Sequence, residues 1–352
     1  MAQALPEVQW RAEALPLPGV LFGNAARTPY QLALRHCSVE GREPAALARV
    51  VIAPALGVPQ RYYAAFAQWL AQQGFAVTTW DYHGHGESLQ GPLRAVQTSL
   101  LDWAEDCAAV AQHVRGQDTA QGVQRPLLWV GHSVGAQLPG MSAVPLPIDG
   151  LLAIASGSGY WRDNAAPTQR KVWLFWGLIA PLLTALCGYL PGKRWGMVGD
   201  LPAGVLWQWR RWCLHPEYAI GVEGDALRAR YAAARYPVHA LHMHDDEMMS
   251  PRSIAALLSW YGGGQHVFET VQGTQAAGAR IGHLGFFRKA FAPTLWPLAA
   301  RQLQAWVHAL APAGQGRGGD GATVDGSTTS CAPTRASHQI APGQRNLFSE
   351  AI

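Results

Sequence analysis

The pentapeptide Gly131-His132-Ser133-Val134-Gly135 concentrates more chemistry than any other stretch of the chain. It follows the apolar run Pro126-Leu127-Leu128-Trp129-Val130 and precedes a helix-like segment, so it reads as strand, sharp turn and helix start. A serine set between two glycines in such a turn stands in a strained conformation with its Oγ exposed. A Cβ at Gly131 or Gly135 would strike the adjacent backbone. A hydroxyl is a poor nucleophile at neutral pH: it needs a base to take its proton, and that base needs a partner to fix its tautomer and stabilise its cation. Among 13 histidines, His283 is the best placed base, because it lies beyond the last expected strand, behind Gly282 and ahead of Phe286 and Phe287, which can anchor a helix. The carboxylate comes from the pair Asp245-Asp246 after the preceding strand. Adjacent residues on a strand face opposite ways, so only one of the two can point at His283; the other is expected to be solvated or capping.

Groups this far apart in sequence require a fold that gathers them. Arg49-Val50-Val51-Ile52-Ala53-Pro54, Phe75-Ala76-Val77-Thr78-Thr79-Trp80-Asp81, the run into Ser133, Gly150-Leu151-Leu152-Ala153-Ile154-Ala155, Val238-His239-Ala240-Leu241-His242-Met243 and residues 266–271 predict strands. Residues 62–73, 98–114 and 287–310 carry helical periodicity, and 20–40 are expected to supply an antiparallel pair at the sheet edge. Strands alternating with helices imply an α/β protein with a mostly parallel sheet covered on both faces. Ligands of such sheets bind beyond the carboxyl ends of the strands, where Ser133, Asp245-Asp246 and His283 all fall.

The serine turn, the order Ser, Asp, His along the chain, and the loop Asp81-Tyr82-His83-Gly84-His85-Gly86-Glu87-Ser88 resemble the α/β-hydrolases, in particular the monoacylglycerol lipase and serine aminopeptidase branch. The likeness covers residues 15 to 310. Gly157-Ser158-Gly159-Tyr160-Trp161-Arg162-Asp163-Asn164, Tyr189-Leu190-Pro191-Gly192-Lys193 and residues 280–288 are also similar to a bacterial group of α/β-hydrolases. The resemblance implies a doubly wound, mostly parallel sheet with a helical cap inserted after the sixth strand, the core formed by 15–157 and 236–311 and the cap by 158–235. It implies a triad of Ser133, Asp246 and His283, with Asp246 preferred to Asp245 on the family's spacing to a following proline. It also implies an oxyanion hole made by the amides of Val134 and Leu56. Two departures stand out: Pro54-Ala55 replaces the His-Gly of many relatives, and Pro139 follows soon after the elbow. The Asp81 loop is expected to be structural, His83 and His85 to line the mouth at most, and His132 to pack beneath the elbow.

Residues 158–235 contain Trp161, Trp173, Trp176, Trp195, Trp207, Trp209 and Trp212, and 172–190 carry no charge while Arg170, Lys171, Lys193 and Arg194 flank them. By length 172–190 could cross a bilayer. A single crossing would put Ser133 on the opposite side from Asp246 and His283, so a buried, broken cap helix is expected instead, with peripheral membrane contact as its other use. Tyr160, Trp161, Trp173 and Trp176 are the expected pocket walls. An apolar, aromatic cover over a serine suits a carboxylic ester with a hydrophobic acyl group; an aminopeptidase or amidase, or a catalytically silent fold used for binding, are the alternatives. His242-Met243-His244-Asp245-Asp246 has a His-x-His-x-Asp spacing, but Glu247 stands where a metallo-hydrolase motif ends in His. No metal and no cofactor are expected.

Composition bounds the rest. The chain has 352 residues, 49% of them hydrophobic, enough for a large domain with an insertion. Only 14% are charged, and the formal charge of +4 forms no basic block, so a nucleic-acid partner is not expected. Five scattered cysteines without a Cys-x-x-Cys pair, and a start lacking a basic segment followed by an apolar one, point to a cytoplasmic setting, with the inner face of a membrane within reach of the cap. Residues 312–352, rich in Gly, Ser, Thr, Pro and Ala, are expected to form a disordered tail.

Overall fold

The computed structural model describes residues 6–19, 28–195, 199–264 and 266–311, so the expected tail at 312–352 lies outside the described residues. In chain order the first half forms β1 (Val8–Leu17), β2 (Tyr30–Val39), β3 (Arg49–Ala53), α1 (Ala64–Gln72), β4 (Ala76–Trp80), α2 (Leu100–Ala120), β5 (Leu127–His132) and β6 (Gly150–Ile154). An insertion follows: α3 (Ala166–Leu174), a π-helical turn (Phe175–Ile179), α4 (Ala180–Cys187), the two-stranded ribbon β7 (Tyr189–Leu190) and β8 (Leu201–Pro202), then α5 (Ala203–Leu214), α6 (Tyr218–Glu223) and α7 (Asp225–Ala233). The chain then completes the sheet with β9 (Val238–Met243), α8 (Pro251–Trp260), β10 (Val267–Val271), α9 (Gly282–Gly285) and α10 (Trp296–Leu310).

The sheet has eight strands in the order β1-β2-β4-β3-β5-β6-β9-β10, antiparallel only at β1–β2 and β2–β4. Successive residues of the buried strands serve opposite faces. Val51, Trp129 and Leu151 join one apolar core with α2, while Val50, Ile52, Leu128, Val130 and Leu152 join the other with α1 and α10. That double burial is why these strands read as continuous apolar runs rather than alternating ones.

Three boundaries differ from the sequence expectation. The edge pair begins at Val8, ahead of the expected core start at 15: Val8, Trp10, Ala12 and Ala14 alternate with Gln9, Arg11 and Glu13 in a largely solvated strand, a period that the sequence expectation leaves out; residues 20–27 of the expected pair lie outside the described residues. The closing helix is shorter than 287–310. A 3₁₀ turn at Lys289–Phe291 precedes it and Pro293 interrupts, whereas Pro297 sits in the first turn of α10, where its missing N–H is harmless. Helix α2 runs on to Ala120 from a Ser99 cap, with Ser99 and Asp102 exchanging side-chain and backbone bonds.

Candidate active site

The order of strands reverses between β3 and β5: β3 leads outward to β4, and β5 returns to its other side. Such a switch point leaves a crevice at the carboxyl ends of the two strands. Ala53 at the end of β3 pairs with Gly131 at the end of β5, so the loop after Ala53 and the turn at Ser133 emerge side by side. Ser133 has φ +52°, a left-handed conformation rare for a residue with a side chain, at the start of a 3₁₀ turn Ser133–Ala136. Both elbow glycines are required by close approach: a Cβ at Gly131 would meet the Gly135 carbonyl and the Ala136 amide, and one at Gly135 would meet the Ala53 carbonyl.

His283, on α9, places Nε2 3.1 Å from Ser133 Oγ, while Nδ1 lies 2.9 and 3.1 Å from the two carboxylate oxygens of Asp246. A carboxylate only accepts, so Nδ1 carries the proton and Nε2 turns a lone pair toward the hydroxyl. Asp246 also accepts the Met248 and Met249 N–H groups at 2.7 and 2.9 Å. Burial raises its pKa, but the adjacent imidazole and these bonds outweigh burial and hold the carboxyl below its ordinary value. Asp245 points elsewhere, both aspartates lying in the turn beyond the end of β9 rather than on the strand, and accepts the N–H groups of Ile281 and Gly282 at 2.8 and 2.9 Å. Glu247 accepts the His283 N–H at 3.1 Å and an Arg280 nitrogen at 3.3 Å. Three consecutive carboxylates therefore grip one turn, two by its backbone and one by its imidazole.

A second network lies beneath. His132 is buried, and Nε2 is 3.0 Å from the His283 carbonyl, so Nε2 is the donor; Nδ1 then accepts from the Tyr63 hydroxyl at 2.8 Å. Tyr63 Oη in turn accepts the Ala55 N–H at 2.9 Å. Burial, with repulsion from His283, pushes the His132 pKa down to about 3, so this ring is neutral. The chain of bonds ties together the loop after β3, the elbow and the turn carrying His283. It also sorts the two amides after Pro54: that of Ala55 is occupied, while that of Leu56 donates to nothing among the described residues. Leu56 and Val134, whose amide opens a helical turn, both line the cavity that contains Ser133. An oxygen bearing negative charge beside Ser133 can be met by such donors. The proline that departs from the family pattern is engaged differently, its carbonyl accepting from Tyr82 at 3.0 Å.

That cavity has a volume of about 890 Å³. Its walls are Leu56, Val134 and Gln137 from the sheet side, and Val172, Trp173, Phe175, Trp176 and Ile179 from α3 and the π-helical turn. Trp176 is 2% exposed and Trp173 61%. Tyr160 and Trp161, expected in the pocket, are not among its lining residues; Trp161 starts a 3₁₀ turn and is covered by Arg162, 5.0 Å from its ring centroid. The charged groups at the cavity are Arg170, Lys171, Arg280 and Glu247. Apart from Trp176, Ala180 and Thr184, little of α3 and α4 is buried, in contrast to the buried cap helix expected. Leu174, Leu178, Leu182 and Leu186 stand in solvent one turn apart, because the helix has neighbours on one side only. The helical stretch Ala166–Cys187 is long and apolar enough to cross a membrane, but β6 and β9, which flank the insertion, are adjacent strands of one sheet.

The other sequence candidates have structural employment. Asp81 accepts the Gln60 and Glu87 amides at 2.8 and 2.9 Å, and His83 stacks on Tyr30 at 3.9 Å. His242 Nε2 lies 3.3 Å from the Met249 carbonyl, and His244 Nδ1 is 4.0 Å from an Asp245 carboxylate already holding two amides. Among the described residues no three His, Cys, Asp or Glu are grouped to hold a metal ion.

Residues 44–185 match the family model described as Serine aminopeptidase, S33. Among solved structures, a soluble variant of monoglyceride lipase from Saccharomyces cerevisiae, in complex with a substrate analogue, aligns with a TM-score of 0.56 at 15% identity. The alignment covers 87% of this chain and 96% of that one. DcsB, in complex with its substrate analogue, aligns with a TM-score of 0.54 at 13% identity, over 86% and 100% of the two chains. At these identities the likeness is one of fold. No curated protein matches the sequence.

Proposed function

We propose that this chain, which has the α/β-hydrolase fold and whose residues 44–185 match the S33 serine aminopeptidase family model, cleaves carboxylic esters with a hydrophobic acyl group through an acyl-enzyme on Ser133. The observation that carries the reading is the bonded series Ser133–His283–Asp246 opening on an apolar cavity. Ser133 Oγ attacks the ester carbonyl as its proton passes to His283 Nε2, and Asp246 stabilises the imidazolium. The oxyanion is met by the amides of Leu56 and Val134. Collapse expels the alcohol, which takes the proton from Nε2. Water, deprotonated by the same nitrogen, then attacks the acyl group; the second collapse frees the acid and returns a proton to Ser133.

Ester is preferred to aminoacyl substrate on charge. An ammonium group would enter a cavity flanked by Arg170, Lys171 and Arg280 and find Glu247 already bonded to Arg280 and to the His283 amide. Residues 158–235 act in this proposal as a cap, α3 and the π-helical turn covering the acyl chain with their inner face. The outer leucines suit peripheral contact with a lipid surface on the cytoplasmic side. The test is turnover of p-nitrophenyl esters of graded chain length beside aminoacyl amides, with fluorophosphonate labelling of wild type and Ser133→Ala. Ester turnover and labelling that both vanish in the variant are expected; labelling that persists unchanged sinks the assignment, and amide turnover exceeding ester turnover sinks the substrate class.

A further inference from the structure

A second cavity, of about 680 Å³, lies on the other side of the loop after β3. Leu56 lines the first cavity and Gly57 the second, one peptide step or about 3.8 Å between Cα atoms away. Gly57, at φ +71°, backs onto Gly199, which lines the second cavity too, and a Cβ on either would run into the backbone of the other. The chemistry of the two cavities differs. The first cavity sets its four charged groups, Arg170, Lys171, Arg280 and Glu247, around a wall of aromatic and aliphatic side chains, whereas the second has no tryptophan or phenylalanine in its lining and presents Arg61, Arg94 and Lys193 against a single carboxylate, Asp200.

These three cations differ from the paired arginines among the described residues. Arg35, Arg49, Arg115 and Arg125 are each bonded to a carboxylate, whereas Arg61, Arg94 and Lys193 have no side-chain partner among the described residues. Asp200 accepts the backbone N–H of Lys193 at 3.0 Å, which fixes the rim without neutralising the cations. Behind them His85, only 8% exposed, lines the same cavity, and its Nδ1 has no hydrogen-bond partner, the nearest carboxylate oxygen of Asp81 standing 3.6 Å away. Three cations facing one carboxylate leave an excess of two positive charges. That matches a phosphate group, which carries about −1.5 to −2 at neutral pH and offers three oxygens to the forked donors of arginine.

We propose that this cavity is a binding site for a phosphate-class anion, held by Arg61, Arg94 and Lys193. The proposal rests on the lining alone and stands whether or not Ser133 cleaves esters. The anion can come from solution, as free phosphate, or from a lipid headgroup, since β7, which contributes Tyr189 to the wall, follows directly on the exposed leucines of α4.

Calorimetric titration of the full chain with inorganic phosphate tests it, beside Arg61→Ala/Arg94→Ala and, as control, Arg301→Ala on the exposed face of α10. Binding that weakens at least tenfold in the double variant and is unchanged in the control is expected, with short neutral ester turnover unaffected. A parallel arm uses phosphatidylcholine vesicles with and without phosphatidic acid. A preference for phosphatidic acid that disappears in the double variant supports the site with a lipid source; phosphate binding without that preference supports it with a solution source. Absence of both, or equal losses in the control, overturns it.

Discussion

At Asp246 and Asp245, two neighbouring carboxylates of the same chemistry have been given different work by the turn that follows β9, and their variants should separate the two roles. Asp246→Asn puts an amide against His283 Nδ1 and allows the wrong tautomer, so kcat on a short ester should fall on the order of 10³- to 10⁴-fold with KM little changed. Asp245→Asn keeps an acceptor for one of the two loop amides, and a loss of roughly tenfold is expected, the scale of one weakened charge-assisted bond. A larger loss at Asp245 would reverse the assignment. His283→Ala should match Asp246→Asn or exceed it, while its circular dichroism stays that of wild type. That Ser133 and His283 would lie side by side was legible because motif and chain order single them out. Glu247 and Tyr63 were not: each acts on backbone or on another side chain, and neither role leaves a pattern in spacing.

The element most open to test is the helix running from α3 through α4. Its inner face carries Trp176, buried against Trp209 at 4.7 Å between ring centroids, while its outer face carries Leu178 and Leu182. Trp176→Gln should depress turnover of long acyl esters more than of acetyl esters, by up to about 0.8 kcal/mol for each methylene that loses apolar contact. Equal losses on short and long chains would mean that Trp176 only holds the helix in place. Leu178→Asp/Leu182→Asp should lower binding to vesicles and leave acetyl ester turnover in solution intact; vesicle binding unchanged in that variant removes the lipid role of this face. The apolar character of 172–190 was plain in the sequence, but not which side would be covered, because a helix apolar all round carries no directional signal. Strand β1 was missed although Val8, Trp10, Ala12 and Ala14 alternate with polar residues, because the strand is largely exposed and lacks the continuous apolar run by which the buried strands are found.

For the molecule as a whole, order along the chain was enough to specify the sheet and its covering on both faces, because buried parallel strands are short apolar runs wherever they occur. The same burial sets how the fold meets acid. His132 has an ordinary pKa of 6.5 and one of about 3 in the folded chain, so between those values the unfolded chain binds a proton that the folded chain refuses, and stability falls as pH drops through that window. His36, pushed down to about 4 by burial, adds to the loss in the same direction. Asp246 and Asp118, held below the ordinary carboxylate value, contribute stability that is present above that value and disappears as pH falls through their lowered pKa values. Urea midpoints measured from pH 7 to 4 should therefore decline steadily, and His132→Asn, which can still donate to the His283 carbonyl, should flatten the upper part of that decline. An unchanged slope in the variant would mean that His132 takes up its proton without opposing the fold.

The meeting of Gly57 and Gly199 has a bearing on how such a chain can diversify. Two backbones without side chains touch there, so neither position can be altered by exchanging one amino acid for another without forcing the loops apart. The usual currency of divergence, point substitution, is closed at this spot. Descendants of this sequence that reshape the second cavity at this wall would have to do so by lengthening or shortening the loops that carry these two glycines, and the lengths of those two loops, more than the identity of any residue in them, should track what different lineages accept there.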